Sequence, residues 1–269
     1  MKDILEEIVA YKRKEVEAAR QALPERELHR SVEAIIEHDG GIATRSMSKA
    51  LAASATGIIS EFKRKSPSKG WIKEDARPED IVPDYEKAGA AACSILTDEK
   101  FFGGCQEFIQ TVRPLVSLPL LRKDFIIDEY QLFEARRIGA DAVLLIAACL
   151  SLDTCRTLMT TAHELGLEVL LEVHHEHELD YCDLDAEMIG VNNRNLGTFI
   201  TDVQNSFRLI DRLPSDRILV SESGISHSET IRLLRAAGFR GFLIGETFMR
   251  TAAPADTLRQ LIADITNND

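Results

Sequence analysis

The sequence has no excess of positive charge. Its 32 Lys and Arg are outnumbered by 44 Asp and Glu, a formal net charge of -12. A general nucleic-acid binder would need the reverse, because its affinity rests on neutralising phosphates. The five cysteines, Cys93, Cys105, Cys149, Cys155 and Cys182, are odd in number, scattered, and never spaced as C-x-x-C. Neither a disulfide framework nor a thiolate metal site is expected, and reduced, mostly buried thiols are. No long apolar run exists; the longest, residues 142–150, falls far short of the roughly 20 residues that cross a bilayer. Residues 1–20 lack the apolar core of a secretory signal, and Asp3, Glu6, Glu7, Glu15 and Glu17 are foreign to a transit peptide. A soluble cytoplasmic protein is expected, with neither nucleic acid nor membrane among its partners.

What is present is a chain of 269 residues, 45% hydrophobic and 28% charged. That is too apolar for a disordered tail and too short for two full-sized enzyme domains. One domain over 1–269 is expected, with a helical extension at 1–55 and the main body at 57–269. In the extension, Ile4, Leu5, Ile8, Val9, Lys12 and Val16 follow helical spacing, and Pro24 separates them from a second helix at 25–37. A short third helix is expected at 46–53.

From Gly57 onward the pattern changes to short apolar runs at 58–62, 92–96, 119–122, 142–147, 168–173, 188–191, 218–220 and 242–244. Helical segments at 79–88, 106–112, 128–138, 152–165, 202–213, 227–237 and 255–265 lie between and after them. Apolar strands alternating with helices mean a parallel sheet covered on both sides. Eight such units fit a closed (β/α)8 TIM barrel better than an open sheet. The open alternative wants a glycine-rich first turn for a dinucleotide, and Lys63-Arg64-Lys65-Ser66-Pro67-Ser68 is nothing like one.

In such a barrel the chemistry collects at the C-terminal ends of the strands. Glu61 and Lys63 stand two apart, so they point the same way. Arg122-Lys123-Asp124-Phe125 ends the third run, Glu172 the fifth, Asn192-Asn193-Arg194 the sixth, Ser221-Glu222-Ser223-Gly224 the seventh and Gly245-Glu246 the eighth. Each alone reads as a solvated strand end. Together they would crowd charges into one opening, which is costly without pairing or purpose. At the seventh and eighth ends, Ser223, Gly224 and Gly245 let backbone N–H groups approach an anion, and a short helix starting at Glu246 would point there. That is the common phosphate site of these barrels, and Ser66 lies near enough to add a hydroxyl. Lys63, Lys65, Lys123 and Arg194 are expected at or near this one mouth.

The segment Ser60-Glu61-Phe62-Lys63-Arg64-Lys65-Ser66-Pro67-Ser68-Lys69-Gly70 resembles the first-strand signature of the indole-3-glycerol-phosphate synthase family. The resemblance continues through Leu96-Thr97-Asp98-Glu99-Lys100-Phe101-Phe102-Gly103-Gly104, Arg122-Lys123-Asp124-Phe125, Leu171-Glu172-Val173-His174, Ile189-Gly190-Val191-Asn192-Asn193-Arg194-Asn195-Leu196 and Ser221-Glu222-Ser223-Gly224-Ile225. It covers essentially the whole chain. It implies closure of 1-(2-carboxyphenylamino)-1-deoxyribulose 5-phosphate to indole-3-glycerol phosphate, with loss of CO2 and water, in tryptophan biosynthesis. It further implies that Lys123 is the general acid, held by Glu61. Glu172 is then the base, Lys63 assists decarboxylation or dehydration, and Asn192 bonds the reacting centre. By the same resemblance Ser66, Phe102, Phe125, Arg194, Leu196, Glu222 and Ser223 bind substrate, with Phe102 and Phe125 flanking the aromatic ring. Ser66, Gly224, Gly245 and Glu246 bind phosphate, and neither a metal nor a cofactor is called for. As bare sequence, either Phe is a core residue.

Asn195, Trp71, Cys105 and Glu246 depart from the family's usual residues, and a Glu246 carboxylate beside phosphate can help only through its backbone N–H. His174, His175 and His177 crowd one turn and read as a solvated polar loop rather than a metal site. A monomer is expected. Two other functions stay open: another phosphate-binding barrel enzyme, such as phosphoribosylanthranilate isomerase, and a non-catalytic phosphosugar-binding barrel.

Overall fold

The structure, a computed structural model, describes residues 4–38, 44–195 and 197–267. Three helices come first: α1 (Ile4–Ala22), α2 (Glu25–His38) and α3 (Met47–Ala53). Eight parallel strands then close into a barrel: β1 (Ile58–Phe62), β2 (Ala92–Leu96), β3 (Leu120–Lys123), β4 (Ala142–Ile146), β5 (Glu168–Val173), β6 (Met188–Asn192), β7 (Ile218–Glu222) and β8 (Gly241–Ile244). Neighbours in sequence are neighbours in the sheet, and β8 closes onto β1 with Ile58 opposite Phe242 and Ser60 opposite Ile244.

Three strands end later than their apolar runs do. Lys123, Asn192 and Glu222 are ladder residues, opposite Leu96, Glu222 and Asn192 respectively. These polar side chains therefore sit on the sheet itself, not on loops. The helical segment expected at 202–213 is instead Gln204–Leu209 followed by a 3-10 turn, Ile210–Arg212. The stretch Glu176–Asp183 is 3-10 throughout. A two-residue hairpin, Lys65–Ser66 against Gly70–Trp71, stands unannounced after β1.

Two hydrophobic clusters divide the strands by period two. Ile58, Cys93, Ile95, Leu120, Val143, Leu145, Val169, Leu171, Ile189 and Val191 face the surrounding helices. Ile59, Ala92, Leu121, Leu144, Leu170, Met188, Val220 and Leu243 fill the interior. The extension serves three places at once. Met47 and Leu51 of α3 join the interior cluster, and Leu51 lies against Gly241 at the start of β8. Ser46 and Ser48 fix α3 there by binding the Glu168 carboxylate at the start of β5. α2 packs outside the barrel on helix Glu129–Ile138, where His29 stacks on Phe133 with centroids 3.7 Å apart. Only α1 reaches the C-terminal face, where Ile4, Leu5 and Ile8 line the cavity described next. The extension thus closes both ends of the barrel, because its apolar stripes are matched to different faces.

Candidate active site

The alternation that fills the barrel floor also builds the site above it. One inward step beyond Ile59, Leu121, Leu170 and Val220 come Glu61, Lys123, Glu172 and Glu222. They line a cavity of about 590 Å³ at the C-terminal face, together with Lys63, Ser66, Phe102, Phe125, Asn192, Arg194, Ser223, Gly224, Gly245 and Glu246. Every described site residue expected from sequence is in that lining; Leu196 lies outside the described residues. Lys65 is not in it. Its ammonium donates to the Lys100 carbonyl at 2.8 Å and lies over the Trp71 ring, on the hairpin outside. Arg122 also points away, to a buried cluster with Asp124, Glu134 and the Gln131 carbonyl.

Which acid partners which lysine differs from expectation. Glu61 holds Lys63, at 2.5 Å, just past the end of its own strand. Lys123 lies across the barrel between Glu172, at 3.0 Å, and Glu222, at 3.4 Å; Glu61 acts on it only as a more distant charge. Burial disfavours the Lys123 ammonium, but Glu172, Glu222 and Glu61 together overcome this and hold its pKa above the ordinary range. The two carboxylates divide. Burial works against Glu172 too, yet Lys123 and His174 keep it well below the usual carboxylate range. Glu222 is fully buried beside another carboxylate, and burial pushes it up to about 8 despite Lys123. The two acids are driven apart around the ammonium, Glu172 toward its ionised form and Glu222 toward its protonated form.

His174 is the chief residue missed. It is buried, not solvated, and its Nε2 lies 3.2 Å from Glu172 Oε1. The available signal was the spacing Glu172-x-His174, which puts both side chains on one side of the chain. Gly190 was missed as well: a methyl built there would collide with Glu222 Oε1, so this strand glycine makes room for the acid.

The rim opposite carries small and positively charged groups. Ser66 is buried with its hydroxyl unpaired, facing the cavity. Ser223 and Phe199 are the non-glycine residues with positive φ, 69° and 58°, among the described residues, and both line the cavity; such strain gathers at functional sites. Arg194 bridges the mouth, donating to Ser68 Oγ at 2.7 Å with Glu246 Oε2 3.6 Å away. A short helix, Glu246–Met249, follows Gly245 and begins at Glu246 as expected. Phe102 and Phe125 form one wall, their centroids 6.0 Å apart. Gly245 is held to glycine by Glu61, since an added methyl would strike that carboxylate. Gly245→Ala is expected to push Glu61 off Lys63 and lower kcat/KM about 10-fold or more in a steady-state assay.

The sequence model of the indole-3-glycerol phosphate synthase family matches residues 5–261. The chain is 60% identical to an indole-3-glycerol phosphate synthase of Bacteroides thetaiotaomicron over 265 residues, covering 98% of this chain and 100% of the relative. It is 46% identical to one of Azoarcus sp. over 267 residues, 97% and 99% of the two chains. Among solved structures, tryptophan synthase alpha-subunits of Pyrococcus furiosus superpose with TM-scores of 0.57 and 0.60 at 13% and 12% identity, covering 79% of this chain and 98% of theirs; they share the fold. Among the described residues no helix is long and apolar enough to cross a membrane.

Proposed function

The chain belongs to the indole-3-glycerol phosphate synthase family, and on that premise we propose how its residues divide the work of the reaction. The enzyme is a carboxy-lyase of tryptophan biosynthesis. It converts 1-(2-carboxyphenylamino)-1-deoxyribulose 5-phosphate to indole-3-glycerol phosphate, CO2 and water.

The observation that carries the assignment is the Lys123 ammonium, caught between Glu172 and Glu222 at the centre of the cavity. Phe102 and Phe125 take the aromatic ring. Ser66, Ser223, Gly224, Gly245 and the Glu246 N–H take the phosphate, and Arg194 closes over it. The ring carbon bearing the carboxylate attacks the ketone, and Lys123 gives its proton to the developing alkoxide. Loss of CO2 returns the electron pair of the broken C–C bond to the ring system. Lys63, held by Glu61, protonates the new hydroxyl as it leaves as water. Glu172 takes the proton from the adjacent carbon as the indole double bond forms. Asn192 bonds the reacting oxygen.

The electrostatics order these steps. While Lys123 is charged, Glu172 is a poor base. Once Lys123 has given up its proton, Glu172 loses its nearest cation and its basicity rises. Acid catalysis thus enables the base that acts later. We read the protein as a single-domain monomer of the cytoplasm.

The test is direct: incubate the purified protein with the carboxyphenylamino-deoxyribulose phosphate and follow indole fluorescence and CO2. Both should appear together. Isomerisation without CO2, or binding without turnover, overturns the reading.

A further inference from the structure

The buried histidine behind the site has no task in the scheme above. His174 does not line the cavity. It sits one side-chain layer back with a carboxylate near each ring nitrogen, at ion-pair distance and outside hydrogen-bond geometry: Nε2 is 3.2 Å from Glu172 Oε1, and Nδ1 is 3.7 Å from Glu178 Oε2. Glu172 therefore has a cation site at each oxygen, His174 at Oε1 and Lys123, 3.0 Å away, at Oε2. Glu178 is fixed in turn: its Oε2 accepts from the His174 and His175 backbone N–H groups at 2.5 and 3.1 Å. Asn205 ties this corner to the site by donating to the His174 and Asn192 carbonyls at 3.0 and 3.3 Å.

We infer that His174 is a positioning residue, a permanent imidazolium that clamps the Glu172 carboxylate at one oxygen and leaves the other free to exchange a proton with the reacting centre. This rests on the role of Glu172 as base. Two buried carboxylates at ion-pair distance from one ring favour its charged form. A neutral imidazole would turn a lone pair on one of the two carboxylates, whereas a doubly protonated ring puts a positive charge between them. The groups facing it are Glu172 from β5, Glu178 from the 3-10 turn, the His175 ring 6.2 Å away, and Lys123 and Glu222 beyond Glu172. Exposed His177 lies 3.8 Å from the other Glu178 oxygen. Burial alone would lower the His174 pKa, but Glu172 and Glu178 reverse this and raise it to about 9. A histidine of ordinary pKa would lose its charge across the working range of pH; this one keeps it.

The clamp also limits how basic Glu172 becomes when Lys123 is deprotonated. One cation leaves during the cycle and one stays, so the carboxylate can take a proton and release it again.

Two readouts test this. Nitrogen-15 NMR of the seven histidines, with His174→Gln for assignment, should show one ring doubly protonated through pH 8; a His174 ring titrating near 6.5 overturns the inference. In turnover, His174→Gln should lose about 10-fold or more in kcat with KM changed less than about two-fold, because the substrate is not touched. Glu178→Gln keeps an oxygen for the two backbone N–H groups but removes the charge. It should lower the His174 pKa by about one unit or more. Its kcat should match wild type below that new value and fall above it, a pH dependence that a merely structural role does not give. Wild-type kcat from Glu178→Gln at a pH where its His174 is neutral overturns the inference even if His174→Gln fails to fold. Glu172→Gln, assayed in parallel, separates the two claims. Full activity there removes the base role and this inference with it. An inactive Glu172→Gln beside a fully active His174→Gln overturns only the clamp.

Discussion

Lys123→Ala lowers the rate of indole formation by at least about 10²-fold, the loss expected when a general acid is removed. KM should move far less, since the phosphate rim and the Phe102–Phe125 wall are untouched. The variant should also fold at neutral pH, for a reason visible in the site. Without the ammonium, Glu172 and Glu222 face each other, and two buried ionised carboxylates would be strongly destabilising. Glu222 already has its pKa pushed up to about 8 by burial, so it can stay protonated and share the space. A carboxyl whose folded pKa exceeds its unfolded value costs stability as pH rises between the two. Removing the Lys123 charge raises the pKa of both acids further, so the stability deficit of Lys123→Ala relative to wild type should widen as pH rises, as urea midpoints would record. Because Lys123 and Glu172 act as a unit, Lys123→Ala with Glu172→Gln should be scarcely slower than the slower single variant. Near-wild-type turnover by Lys123→Ala would sink the mechanism.

The fold was legible because two periods run through the sequence without interruption. Period two in the apolar runs, as in Ile59-x-Glu61-x-Lys63 and Leu170-x-Glu172-x-His174, specifies both the barrel floor and the charged layer above it. Which charges pair was not legible. Glu61 and Lys63 are neighbours along the chain, but Lys123 meets Glu222 only because β3 and β7 face each other across a barrel, and the reach of four side chains sets the result. His174 was misread because a run of three histidines looks polar, whereas the chain turns inward at the first and outward by His177. Lys12 was legible as a position on an apolar helical stripe, between Ile8 and Val16. What the stripe could not say is that two carboxylates wait opposite it.

Those carboxylates make Lys12→Met the second large effect. The Lys12 ammonium is buried within 2.9 Å of both Asp98 and Asp124 and 2.5 Å of Glu15. Asp98 caps the short helix Glu99–Phe102, and Asp124 follows Lys123 directly. Through one cation, α1 is thus fastened to the strand ends that carry the ring-binding phenylalanines. Methionine keeps the apolar stem and removes only the charge. Taking one partner from a buried ion pair costs about 3–5 kcal/mol, and the lower figure is expected because Asp124 keeps Arg122, 3.1 Å away, and the Thr97 hydroxyl. Burial pushes the Asp124 carboxyl up, but Lys12 and Arg122 pull it well below the ordinary range. Its contribution is therefore present above an unfolded pKa of about 3.9 and is lost as pH falls below it. The Lys12 pKa is held above its ordinary value, so its side of the pair weakens only in strong alkali. Urea unfolding should show the full deficit of Lys12→Met at pH 7 and a smaller one at pH 3. A constant deficit would mean that the aliphatic stem, not the charge, does the fastening. Since Ile4, Leu5 and Ile8 ride on α1 into the cavity wall, KM should rise more than kcat falls, the opposite of the Lys123 signature.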